Sequence, residues 1–96
     1  MKLSTESIHS RLASMPGWRL EENVLRRQFV LASFPDAIAF VTRLAFGAEA
    51  ADHHPDLLVS YKRVTVSWST HSEGGVTDKD FAGAELSDHL AKAFGA

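Results

Sequence analysis

Three of the chain's five histidines stand at the ends of predicted elements: His53 and His54 in Asp52-His53-His54-Pro55-Asp56, and His71 in Thr70-His71. Imidazole titrates near neutrality, so one protonated and one neutral ring can serve together as acid and base at pH 7. Element ends are also where a rigid scaffold presents reactive groups. The adjacent pair carries little by itself, because a polar loop before a proline would look the same. Pro55 holds His54 in the extended region, and neighbouring side chains of an extended chain point to opposite sides. His53 and His54 are therefore expected to do different jobs. His71 falls in phase with Thr65, Ser67 and Ser69, on the more polar side of a predicted strand. Asp80 is a carboxylate in the first turn of the last predicted helix, which is an adequate structural role.

The elements that must position these residues are readable from periodicity. Ile8, Leu12 and Met15 mark one face of a helix over 4–15, which Pro16-Gly17 stops. Trp18 and Leu20, then Leu25, Arg27, Phe29 and Leu31, alternate around a turn at Glu22-Asn23, predicting a hairpin. Ser33-Phe34-Pro35-Asp36 is a helix start, with Ser33 as cap, Pro35 in the first turn and Asp36 complementing the dipole. Behind it, Phe34, Ile38, Val41, Leu44, Ala45 and Ala48 form an apolar stripe reaching about residue 50. Pro55 ends that region. Strands over 57–61 and 63–70 are predicted on either side of Lys62-Arg63, with Val64, Val66 and Trp68 on one face of the second. Gly74-Gly75 breaks the strand, and Thr77-x-x-Asp80 reads as a capping box for a helix over 78–94 with Ala82, Leu86, Leu90 and Ala93 on its apolar face. The order α-β-β-α-β-β-α predicts an α+β fold: a four-stranded antiparallel sheet of two hairpins, three helices on one face, and one domain over 1–96. The uncovered face or an edge strand is then a place for subunit contact.

Composition narrows the function. The chain has 96 residues, 45% hydrophobic and 23% charged, the mixture of a soluble globular domain. Its net charge is −2, and its basic residues are scattered except for Arg26-Arg27 and Lys62-Arg63, so direct binding to nucleic acid is not expected. With no cysteine, disulfides, thiolate metal sites and a cysteine nucleophile are excluded. No stretch has the apolar length of a membrane span or the core of a signal peptide, so the expected location is the cytoplasm. A core this small also favours association of subunits.

Gly17-Trp18, Ala48-Glu49, His53-His54-Pro55-Asp56, Val59-x-Tyr61, Val64, Thr70-His71, Gly74-Gly75-Val76-Thr77 and Asp80 occur in an order that resembles the pterin-4a-carbinolamine dehydratases. The resemblance spans the chain from about Leu12 to the last helix, and the His-His-Pro and Thr-His-x-x-Gly-Gly-x-Thr-x-x-Asp elements are specific in combination. Ala50-Ala51 is blander than the polar helix end of that family. The resemblance implies dehydration of a 4a-hydroxytetrahydropterin to a quinonoid dihydropterin, which recycles the cofactor of aromatic amino-acid hydroxylases. It implies His53 and His71 as the acid–base pair, His54 chiefly in substrate binding, and Asp80 as an orienting carboxylate. The backbone near Leu57, Leu58 and Val59, with the Thr70 hydroxyl, would recognise the pterin edge. The pterin is then the substrate; no separate cofactor and no metal are expected, and the chain would form a homodimer or homotetramer.

Two rival readings differ in class. Three histidines can ligate zinc, but adjacent histidines in an extended segment diverge, and ligands come instead at i, i+4 or across strands. A non-catalytic dimerisation or assembly module of the same fold is the other, since relatives of this family act that way. A pure scaffold has no need of three histidines at these positions. His9 and His89 are expected at the surfaces of the first and last helices, Tyr61 and Trp68 in the core or an interface, and Trp18 as the anchor of the first hairpin.

Overall fold

A computed structural model describes residues 1–96. The elements are α1 (Thr5–Leu12), β1 (Arg19–Glu21), β2 (Val24–Val30), α2 (Phe34–Ala51), β3 (Asp56–Ser60), β4 (Arg63–Trp68), a 3-10 turn (His71–Glu73) and α3 (Asp78–Lys92). All strand pairings are antiparallel, in the spatial order β1-β2-β4-β3. The expected α+β arrangement is present: two hairpins side by side, with three helices on one face of the sheet. No helix is long and apolar enough to cross a membrane.

Turn chemistry sets the hairpins. Glu22 and Asn23 both take positive φ, 50° and 65°, the primed geometry that follows the twist of the flanking strands. The second hairpin turns on Tyr61 and Lys62, and Arg63 already belongs to β4, paired with Ser60 and Val30. Tyr61 is therefore an exposed turn residue at φ 53° and not part of the core. Alternation then sorts the faces. Leu25, Phe29, Val64, Val66 and Trp68 are buried under the helices, whereas Arg26, Gln28, Thr65 and Leu58 lie on the open face. Arg27 has the phase of the covered side and reaches Asp88 on α3, Nη1 to Oδ1 2.9 Å.

Ser33 caps α2 by accepting the Asp36 N–H at 3.2 Å, and Ile8 anchors α1 to the core. Two helical stripes are rotated from their expected positions. On α2 the buried residues are Ala37, Phe40, Leu44 and Ala48, while Phe34 and Ile38 remain 49% and 41% exposed. This helix is apolar around more than half its circumference, and the side that meets Phe29 through Phe40, with centroids 5.1 Å apart, becomes the core side. On α3 the buried face is Asp80, Phe81, Gly83, Ala84, Ser87 and Ala91, while Leu86 and Leu90 are half-buried and Ala82 and Ala93 exposed. Small residues win because α3 lies directly on Trp68. A Cβ added at Gly83 would stand 2.5–2.7 Å from three indole atoms.

Candidate active site

The end of α2 fixes the position of His53. Asp52 adopts the left-handed conformation, φ 51° and ψ 41°, which a short polar side chain tolerates better than most. Its N–H bonds the Glu49 carbonyl, and the N–H of His53 bonds that of Ala48, both at 3.1 Å. This is the Schellman arrangement that closes a helix, so the His53 backbone is tied to the last turn of α2. Its ring turns inward: Nε2 is 2.6 Å from Oδ1 of Asp80, and the imidazole stacks on the Trp68 indole, centroids 5.5 Å apart and planes at 23°. Only 14% of the His53 side chain is exposed.

Asp80 is fully buried, and every contact it makes is accounted for. Its Oδ2 accepts the Thr77 N–H at 2.9 Å, completing the capping box of α3, and accepts the Thr70 hydroxyl at 2.8 Å. Since the Thr70 proton goes to Asp80, the Thr77 hydroxyl donates to Thr70 across 2.8 Å and accepts the Lys79 N–H at 3.2 Å. A carboxylate only accepts, so the hydrogen between His53 and Asp80 sits on Nε2. The other ring nitrogen, Nδ1, has no protein partner and is not sealed from solvent. The arrangement can therefore give or take a proton at one defined atom, His53 Nδ1, with the opposite edge of the ring held by a buried acid.

His54 points away from its neighbour, as Pro55 requires, and its Nε2 lies 2.8 Å from Glu49 Oε1 in a pair open to solvent. His71 differs from expectation. The strand expected to continue to residue 70 ends at Trp68, so His71 is not in phase with Thr65, Ser67 and Ser69. Beyond Trp68 the neighbours run out: β2 begins at Val24, and β3 begins only after Pro55. Ser69 and Thr70 leave the sheet, and the Thr70 N–H bonds the Gly75 carbonyl at 2.9 Å. Gly74, at φ 73°, takes a left-handed conformation that a side chain would disfavour. His71 opens the 3-10 turn, exposed, beside a hollow of 270 Å³ that also touches Glu22, Asn23 and Val24. His53 borders a separate apolar cleft of 160 Å³ between α2 and α3, walled by Ala48, Ala51, Ala82 and Leu86.

Among the expected site residues, then, His53, Thr70 and Asp80 form one hydrogen-bonded network. His54 and His71 lie outside it, each adjacent in sequence to one of its members. The Leu57–Val59 segment divides. The Leu31 N–H bonds the Lys62 carbonyl at 2.8 Å, which sets Val64 to exchange bonds with β2 and Thr65 with β3. The Leu58 backbone is thus spent on Thr65, and its side chain is 65% exposed on the open face. Leu57 and Val59 present N–H and C=O along the free edge of β3. No three His, Asp or Glu side chains converge as a metal-ligand set. Two contacts had no sequence signal: the Trp68 stack and the Glu49 partner of His54.

The model of the family described as pterin 4 alpha carbinolamine dehydratase matches residues 1–90. A protein from Chloroflexus aurantiacus, provisionally named pterin-4-alpha-carbinolamine dehydratase, is 52% identical over 89 residues, covering 93% of this chain and 96% of its own. A relative from Sulfolobus acidocaldarius with the same provisional name is 47% identical over 81 residues, covering 84% and 89%. The crystal structure of a transcriptional coactivator/pterin dehydratase from Brucella melitensis superposes with a TM-score of 0.91 at 32% identity, covering 95% of this chain and 99% of that one.

Proposed function

The chain belongs to the pterin 4 alpha carbinolamine dehydratase family, and from that premise we propose that it dehydrates a 4a-hydroxytetrahydropterin to the quinonoid dihydropterin by histidine acid–base catalysis. The observation that carries this reading is the His53–Asp80 hydrogen bond, which leaves Nδ1 as the one nitrogen of that ring free to meet substrate. In the reaction the C–O bond at the 4a carbon breaks, the leaving hydroxide takes a proton, and the adjacent ring N–H loses one as the C=N bond forms. One histidine supplies the first proton and the other removes the second, so the balance is loss of one water. Assistance of this kind is worth about 10²–10⁴-fold.

In this reading His53 and His71 form the acid–base pair and His54 binds substrate. Asp80 orients His53. Thr70 acts through Asp80, because its hydroxyl is already engaged there and at Thr77. Pterin-edge recognition falls to the free backbone groups of Leu57 and Val59. Stopped-flow absorbance of carbinolamine dehydration tests the assignment. Wild type should accelerate the reaction, and His53→Ala and His71→Ala should each lose about tenfold or more. Folded wild-type protein that gives no acceleration would remove the enzyme reading.

A second reading, an association module, is favoured by the exposed apolar residues Phe34 and Ile38 on α2, and the Brucella melitensis neighbour is named a coactivator as well as a dehydratase. Self-association of this chain through that flank is compatible with catalysis. Light scattering on wild type and Ile38→Glu tests it, with a fall in mass expected for the variant.

A further inference from the structure

His53 is held from two directions, and only one of them is a hydrogen bond. Asp80 fixes the Nε2 edge but leaves the ring free to pivot about the Nε2–Oδ1 line. The face of the ring lies on Trp68, 5.5 Å between centroids and 23° between planes, an offset stack within the range of attractive aromatic pairs. Trp68 is itself fixed. It is 1% exposed, its Nε1–H donates to Ser87 Oγ at 3.1 Å, and the Ser87 hydroxyl donates to the Gly83 carbonyl at 2.8 Å. Gly83 lies against the indole so closely that a Cβ there would overlap three of its atoms.

We infer that Trp68 is a positioning residue for the dehydration chemistry: α3, through Gly83 and Ser87, sets the plane of the indole, and the indole sets the plane of the His53 ring and so the direction of Nδ1. The inference rests on the reading of His53 as an acid–base group and adds a specific partner to it. The hydrogen bond and the stack divide the task. Asp80 selects which nitrogen carries the proton, and Trp68 selects where the other nitrogen points. Misdirection of a reacting atom by about 1 Å can cost about 10²-fold in rate, so a loosened ring should be visible in turnover.

The test compares Trp68→Phe, which keeps an aromatic face but abandons the bond to Ser87, with Trp68→Leu, which keeps apolar bulk without a π face. Circular dichroism establishes that both are folded. For Trp68→Leu, kcat should fall by about tenfold with KM changed less than about twofold, and Trp68→Phe should recover most of the loss. Independently of any activity, proton and nitrogen NMR of the His53 imidazole should show ring protons shifted upfield by the indole and a single Nε2–H tautomer in wild type. The upfield shift should be lost in Trp68→Leu and partly kept in Trp68→Phe. Folded Trp68→Leu with wild-type kcat, or His53 ring protons equally shielded in wild type and Trp68→Leu, overturns the inference. If wild type has no dehydratase activity, the NMR arm still decides whether the stack holds the ring.

Discussion

Asp80 Oδ1 lies 2.6 Å from His53 Nε2, while Oδ2 of the same carboxylate closes the capping box at the start of α3. One buried side chain thus links the end of α2 to the beginning of α3 and holds a histidine at the junction. The structural and orienting roles of Asp80 are the same set of hydrogen bonds read from two sides. A change there must therefore register in both stability and chemistry.

Asp80→Asn should show both effects. The amide keeps the size and one oxygen. In the Oδ2 position that oxygen still serves the Thr77 N–H and the Thr70 hydroxyl, and the NH₂ group faces His53 Nε2; turned round, it serves His53, and the NH₂ group faces the Thr77 N–H and the Thr70 hydroxyl, which now donate to Oδ2. A donor set against a donor leaves a buried group unsatisfied, at a cost of about 1–3 kcal/mol. Turned toward His53, the amide moves the proton of the neutral ring to Nδ1, so that nitrogen can no longer accept one. Urea denaturation should show the stability loss, and kcat should fall by at least about tenfold with KM little changed.

Thr70→Val asks whether that hydroxyl serves the substrate or the carboxylate. The side chain keeps its shape, but Oδ2 of Asp80 loses one donor and the Thr77 hydroxyl loses its acceptor. Support of Asp80 is expected to appear as a loss of about 1–2 kcal/mol in stability and a fall in kcat. A rise in KM alone, at unchanged stability, would return Thr70 to direct substrate contact. Equilibrium unfolding and steady-state kinetics on one preparation give both numbers.

Much of this site is legible in the sequence, and the division has physical causes. Local signals spoke clearly: Thr77-x-x-Asp80 as a capping box, Ser33 as a cap, and Pro55 forcing His53 and His54 apart. The antiparallel hairpins followed from alternation and from the Glu22-Asn23 turn. The buried faces of α2 and α3 did not, because apolar periodicity finds the greasiest stripe and not the best-fitting one. Gly83 and Ser87 face the sheet because Trp68 leaves no room for more, and Leu86 is turned to the side. His71 departs from its expected strand phase for a related reason. Thr70 reads as strand, yet a strand ends where its neighbours end, and that is a property of Val24 and Pro55.

Asp88 supplies a control outside the site. Its Oδ1 accepts both the Trp18 indole N–H and Arg27 Nη1, each at 2.9 Å, pinning the first hairpin to α3. Asp88→Ala strands the donor of a tryptophan that is 4% exposed and leaves a partly buried guanidinium without its acid. The expected loss is about 1–3 kcal/mol, or a fall in Tm of roughly 4–8 °C for each kcal/mol in a domain of this size. Below the transition kcat should equal that of wild type. Thermal unfolding followed by circular dichroism, with kinetics at low temperature, checks both parts.

The pair formed by His54 and Glu49 should behave in the opposite way. Its side chains are 56% and 80% exposed, so the 2.8 Å contact is screened by water and salt and stabilises the fold by at most about 1 kcal/mol. Glu49→Gln and His54→Ala should therefore unfold within about 0.5 kcal/mol of wild type. If His54 binds substrate, His54→Ala should raise KM severalfold and leave kcat within about twofold. Glu49→Gln should do the same more weakly, because it only releases the orientation of His54. Glu49 and His54 are exposed and share no hydrogen bond with the His53–Asp80–Thr70 network, so neither change should disturb the NMR signature of the His53 ring. A fall in kcat for His54→Ala as large as that for His53→Ala would place His54 in the proton-transfer step, and the division of labour imposed by Pro55 would have to be redrawn.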